Sequence, residues 1–187
     1  MITISGCGHK DEQQSDVKSS ADTKTVDNNH TDKNKKRSNF RLSGIVPYTD
    51  IGIRLKDEKI EFRHLRQPIV LINLFATWCP PCKSQIPSLS QLQKNHSDIL
   101  FVIGIPVNDN ADNNKLREFT QQNDDHFFVS KANTAFTDYL ISSLKLDSKI
   151  ILPMSILYKN GIILRYYEGA IPLEMLENEI TQALINP

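Results

Sequence analysis

The chain has 187 residues, with 22 Lys plus Arg balanced by 22 Asp plus Glu, so its formal net charge is zero. That length suffices for one domain with a sizeable core, and the charge balance argues against a nucleic-acid surface. No run reaches the roughly 18 apolar residues of a membrane-spanning helix, and three cysteines are too few for a disulfide scaffold or a four-thiolate zinc site.

Residues 1–7 end in Ile4-Ser5-Gly6-Cys7, an aliphatic residue and two small ones before a cysteine. The pattern resembles the lipobox of bacterial lipoproteins, which implies lipidation of Cys7 and attachment to a membrane by a lipid anchor. The basic-then-apolar leader of that family spans about 15–30 residues. Six residues precede Cys7 and none is basic, so that leader is expected upstream. The alternative is a chance match, an unmodified cysteine on a polar tail. Residues 8–39 contain only Val17, Ala21 and Val26 as clear hydrophobics. Such a segment buries too little apolar surface to offset the entropy of ordering it. It reads as a solvated linker, its Lys35-Lys36-Arg37 cluster included, and the folded domain is expected over 40–187.

Arg41–Ile45 and Ile51–Leu55 are expected as edge strands. Ile69–Ala76 (IVLINLFA) is a continuous apolar run broken only by Asn73, which suits a central strand buried on both faces. A helix follows from Pro80, with Ile86, Leu89 and Leu92 on its buried face. Pro80 and Pro81 are tolerated in a first turn whose N–H groups lack helical partners, and Pro87 is expected to kink the helix. Ile99–Ile105 is a second apolar strand, completing a β-α-β unit with parallel pairing. Asp112–Gln122 and Asn133–Leu144 read as helices, and His126–Val129 as a short strand. Met154–Tyr158 and Ile162–Tyr167 are strands joined at Asn160-Gly161, a dipeptide suited to the positive φ angles of a tight hairpin. The last helix opens at Pro172, with Leu173, Leu176, Ile180 and Leu184 on one face and Glu174, Glu177 and Glu179 near its positive end. The expected fold class is α/β with a mixed sheet.

The chemistry concentrates in "ATWCPPCKSQIP". Cys79 and Cys82 stand three apart at a strand-to-helix junction. Residues i and i+3 of a helix have α-carbons about 5 Å apart, inside the disulfide range. The positive end of the helix dipole stabilises a Cys79 thiolate, which lowers the thiol pKa to about 3.5–7.5 in comparable settings. Cys82, one turn inside, is expected to be more buried and to resolve a mixed disulfide. Trp78 offers an apolar platform to an incoming polypeptide, and Pro80-Pro81 stiffens the loop. A structural disulfide here would close a short loop and add little stability. A zinc half-site would need two further ligands, and the five histidines show no paired spacing. No metal site and no cofactor are expected.

On "LINLFATWCPPCKSQIP" the chain resembles the thioredoxin superfamily, within it the TlpA/ResA-like thiol-disulfide oxidoreductases that include the CcmG/DsbE cytochrome c maturation proteins. The resemblance implies a thioredoxin-like fold with N-terminal extension strands and a central insert over Asp112–Val129. It implies Cys79 as nucleophile, Cys82 as resolving cysteine, Pro153 as a cis-proline facing the disulfide, and Leu152 as the residue whose backbone pairs with substrate. Disulfide-bearing partner proteins, a membrane electron donor and an extracytoplasmic, periplasmic-side location follow from the same resemblance. Thioredoxin carries a buried aspartate where this chain has Asn73, ResA-like proteins a glutamate where it has Pro80. Three alternatives stay open: a disulfide oxidase or isomerase for secreted proteins, a non-catalytic copper-binding protein using the two thiolates, and a holdase that merely docks clients in the cleft.

Overall fold

The computed structural model describes residues 39–185, apart from 48, 57–58, 124–125 and 147–149. Cys7 and nearly all of the 8–39 linker lie outside the described residues. An eight-stranded mixed sheet runs in the order β3-β2-β1-β6-β5-β4-β7-β8. Its strands are β1 (Asn39–Val46), β2 (Asp50–Lys56), β3 (Lys59–Arg63), β4 (Ile69–Phe75), β5 (Leu100–Pro106), β6 (Phe128–Ser130), β7 (Met154–Lys159) and β8 (Ile162–Glu168). The helices are α1 (Pro80–Asn95), α2 (Asn113–Gln122), α3 (Thr134–Ser143) and α4 (Leu173–Ile185).

β4 organises the molecule. All seven of its residues are buried, as the unbroken apolar run requires. It pairs in parallel with β5, from Ile69 opposite Leu100 to Phe75 opposite Pro106, and antiparallel with β7, with Asn73 opposite Ser155. Strand alternation sends Ile69, Leu71 and Phe75 to one face and Val70, Ile72 and Leu74 to the other. The first face is covered by Ile86, Leu89 and Leu92 of α1, Leu116 and Phe119 of α2, and Leu176, Ile180 and Ala183 of α4. The second is covered by Phe136 and Leu140 of α3. Helices thus clothe both sides of the sheet, as a strand with two apolar faces demands.

Three expectations need correction, and one strand is new. β1 and β2 are not edge strands, because β3 pairs outside β2 and β6 pairs with β1 on its inner side. β3 itself was not expected. Its Ile60 is buried between exposed Lys59 and Glu61, a one-sided strand with charges outward. Leu184 is 45% exposed and Ala183 is buried instead, because the apolar stripe of α4 continues from Ile180 by three residues, not four. The linker boundary also shifts by one residue, since β1 begins at Asn39. The Asn160-Gly161 turn has φ of 50° and 80°, the pair of positive angles a two-residue hairpin needs. A side chain at 161 would run into the Ile60 carbonyl.

Candidate active site

The site forms where β4 ends and α1 begins. Cys79 is the N-cap of α1 in an extended conformation, with Pro80 and Pro81 at the first two helical positions. The prolines lack N–H groups, so the first amide able to meet the cap is that of Cys82. It donates to Cys79 Sγ at 3.3 Å, the usual work of a capping side chain done here by sulfur. Cys79 and Cys82 are disulfide-bonded with α-carbons 5.3 Å apart. No acidic residue stands in the first turn of α1. A thiolate at Cys79 in the reduced form therefore meets the helix N-terminus and the Cys82 amide without an opposing charge beside it on the helix.

Cys79 is 4% exposed and Cys82 1%. Cys82 is the more buried of the two, as expected, but in the disulfide form Cys79 is less open than its place at the helix mouth suggests. Both residues join the apolar cluster between sheet and α1, beside Ala76 and Ile86. Trp78, by contrast, is 62% exposed. Its indole N–H donates to the Asn108 carbonyl at 3.0 Å, which ties the ring to the loop after β5.

The loop after β5 was missed in the sequence. The C-terminal ends of parallel β4 and β5 lie side by side, and the Val107 N–H donates to the Phe75 carbonyl at 2.9 Å. Two residues on, Asp109 accepts from the Thr77 N–H and, through its other oxygen, from the Ala111 N–H at 2.9 Å. Burial works against its ionisation. It is outweighed by hydrogen bonds from the Thr77 backbone and hydroxyl and from Ala111, and by the Lys115 charge, so the carboxyl sits below its ordinary pKa. A fixed anion thereby splints the approach to Trp78 and Cys79. The crevice outside the carboxyl ends of parallel strands is where open α/β sheets carry their ligands, and that rule could have singled out Asn108 and Asp109.

The Leu152–Pro153 peptide is cis. Pro153 immediately precedes Met154, which pairs with Leu74 near the end of β4, and its carbonyl accepts from the Gly169 N–H at 2.8 Å. Pro153 is buried and Leu152 half-buried, while Ile151 is 59% exposed. Trp78, Cys79, Pro80, Pro81, Cys82, Leu152 and Pro153 all belong to the segments gathered at this end of the sheet.

Beneath the site, Asn73 is 1% exposed and donates through Nδ2 to Ser155 Oγ at 3.1 Å. The amide is thus a structural link between β4 and β7, with no titrating group of its own. Gln85, one turn beyond Cys82, is buried with neither amide atom hydrogen-bonded among the described residues. The described residues hold no cluster of three or more His, Cys, Asp or Glu suited to a metal, and none of their helices is long and apolar enough to cross a membrane.

The redoxin family profile matches residues 49–184. The thiol-disulfide oxidoreductase ResA of Halalkalibacterium halodurans is 28% identical over 127 residues, 66% of each chain. The thioredoxin-like protein YneN of Bacillus subtilis is 37% identical over 51 residues, 27% of this chain and 30% of that one. The chain spans between 30% and 51% of the lengths of three curated relatives it matches. Among solved structures, a candidate thiol:disulfide interchange protein DsbE from Chlorobium tepidum superposes with a TM-score of 0.58 and 25% identity, over 80% of this chain and 95% of that one. With its matched profile, its paired cysteines at a strand–helix junction and its helix-flanked mixed sheet, the chain belongs to the redoxin family and has a thioredoxin-like fold.

Proposed function

We propose that this chain is a thiol-disulfide oxidoreductase that reduces disulfides of specific partner proteins, apocytochrome c among them, from a lipid-tethered, extracytoplasmic position. The observation that carries the proposal is the Cys79 sulfur capping α1 and bonded to Cys82. The similarity to a ResA thiol-disulfide oxidoreductase and to a DsbE-type interchange protein supports the same chemistry. Ile4-Ser5-Gly6-Cys7 and the polar 8–39 segment support an anchor and its spacer. A single lipid chain binds membranes only marginally, so lipidation at Cys7 would have to supply more than one.

In the reduced protein the Cys79 thiolate attacks one sulfur of the partner's disulfide. A Cys79–partner bond forms, the partner's own S–S bond breaks, and the departing thiolate takes a proton from water. Cys82 then loses its proton to water, and its sulfur attacks Cys79 Sγ. The mixed disulfide breaks, and the second partner thiolate leaves and is protonated. Two electrons and two protons pass to the partner, and the Cys79–Cys82 bond is left. A dithiol on a membrane electron donor restores the pair by the reverse exchange.

The direct test is disulfide exchange by the reduced protein, with Cys79→Ser and Cys82→Ser beside it. Cys79→Ser should lose all turnover. Cys82→Ser should accumulate covalent partner adducts in cells, whose identity names the client. Full activity in Cys79→Ser would overturn the proposal. The reductive direction is tested by the potential: a value near the roughly −120 mV of a strong disulfide oxidant would reverse it.

A further inference from the structure

The loop after β5 and α3 enclose a pocket of about 370 Å³. That is the small end of ligand-pocket sizes, suited to one long side chain. Val107, Ile141 and Ile150 give it apolar walls, while Asn108, Asp109, Thr137 and Asp138 supply polar ones. Among the described residues, both charged ones that line it are acidic. Asp109 is held ionised by its hydrogen bonds, and Asp138 is exposed on α3. Thr137 is 7% exposed, and its hydroxyl has no hydrogen-bond partner among the described residues.

We propose that this pocket receives a basic side chain, arginine above all, from the polypeptide whose disulfide is reduced, and so selects among partners. The proposal rests on the redox reading above and names the substrate class for that same site. The pocket touches the site through two bonds already described: Trp78 to the Asn108 carbonyl and Thr77 to Asp109. Thr77 lies two residues from Cys79, at most about 7 Å along the chain. An extended partner segment advances about 3.3 Å per residue. A basic residue two to four positions from the attacked cysteine therefore reaches the pocket. Its aliphatic stem lies on Ile141, Ile150 and Val107. Its guanidinium faces Asp138 and the Asp109 charge, with donors enough for both.

The test uses symmetric peptide disulfides that carry Arg, Gln or Glu three residues from the cysteine, with bis(2-hydroxyethyl) disulfide as a small neutral control. Exchange by the reduced full chain is followed at low ionic strength through Trp78, its single tryptophan. The Arg peptide is expected to react at least about five-fold faster than the Glu peptide, the scale of one or two partly exposed charge contacts. Asp138→Asn should shrink that ratio toward one and leave the rate with the neutral control unchanged. Equal rates for the Arg and Glu peptides in the parent protein would overturn the proposal, as would an undiminished ratio in Asp138→Asn. No exchange with any of the four disulfides would defeat the redox reading itself, and this proposal with it.

Discussion

Asp109→Asn probes the splint behind the active-site loop. The carboxylate accepts two backbone N–H groups, from Thr77 and Ala111, one on each oxygen. An amide has one acceptor oxygen, so the substitution turns an N–H donor toward one of those two amides. Hydrogen bonds to a charged group contribute about 1.5–3 kcal/mol each. Asp109 is only part-buried, so solvent screens some of this, and a net loss of about 1–2 kcal/mol is expected at pH 7. The pH dependence has a definite sign. The folded-state pKa is depressed, so the carboxylate's contribution is fully present above its unfolded pKa of about 3.9 and fades as pH falls through the folded value. Urea denaturation of parent and variant across pH 3–8 measures this directly. The stability gap should hold from pH 5 to 8 and close on acidification. Equal stability at pH 7, or a gap that widens below pH 4, would refute the reasoning.

Further predictions follow from the same geometry. Asn73→Asp puts a carboxyl where the side chain is 1% exposed; burial raises its pKa, so the variant should match the parent below about pH 4 and lose on the order of 2–4 kcal/mol by pH 7, which denaturation at the two pH values reads. Gly44→Ala builds a methyl group into the Pro47 and Thr49 carbonyls and 2.9 Å from Phe128 Cε2; a loss of about 3 kcal/mol or more is expected, visible as a fall in Tm. Trp78→Ala removes an exposed ring held by one hydrogen bond to Asn108; stability should change by about 1 kcal/mol at most, while exchange with peptide disulfides should slow more than exchange with a small neutral one.

What the sequence made legible was whatever depended on local pattern. The apolar run of β4 could only be a strand with two covered faces, and Cys-Pro-Pro-Cys after it could only open a helix. β3 escaped because Lys59-Ile60-Glu61-Phe62-Arg63 buries one side chain fully and shows charges to solvent, a faint signal over five residues. Leu184 misled because the choice between Ala183 and Leu184 rests on how α4 rolls against α1, and periodicity alone does not set that. Asp109 was within reach, since the parallel pairing of β4 and β5 puts the loops after them together. Thr137 and Asp138 were not. Their place beside Asp109 depends on α3 packing on the second face of the sheet, a contact made by Phe136 and Leu140 with residues distant in sequence.

The most direct measurement is the ionisation of Cys79 in the reduced protein, read as the pH dependence of its alkylation rate by iodoacetamide. Its position as the cap of α1, facing the Cys82 amide with no acidic residue in the first turn, predicts rapid alkylation of Cys79 before Cys82, with a midpoint below about pH 7.5. A midpoint at or above the free-thiol value of about 8.5, or a Cys79 that resists the reagent in the folded protein, would contradict the account.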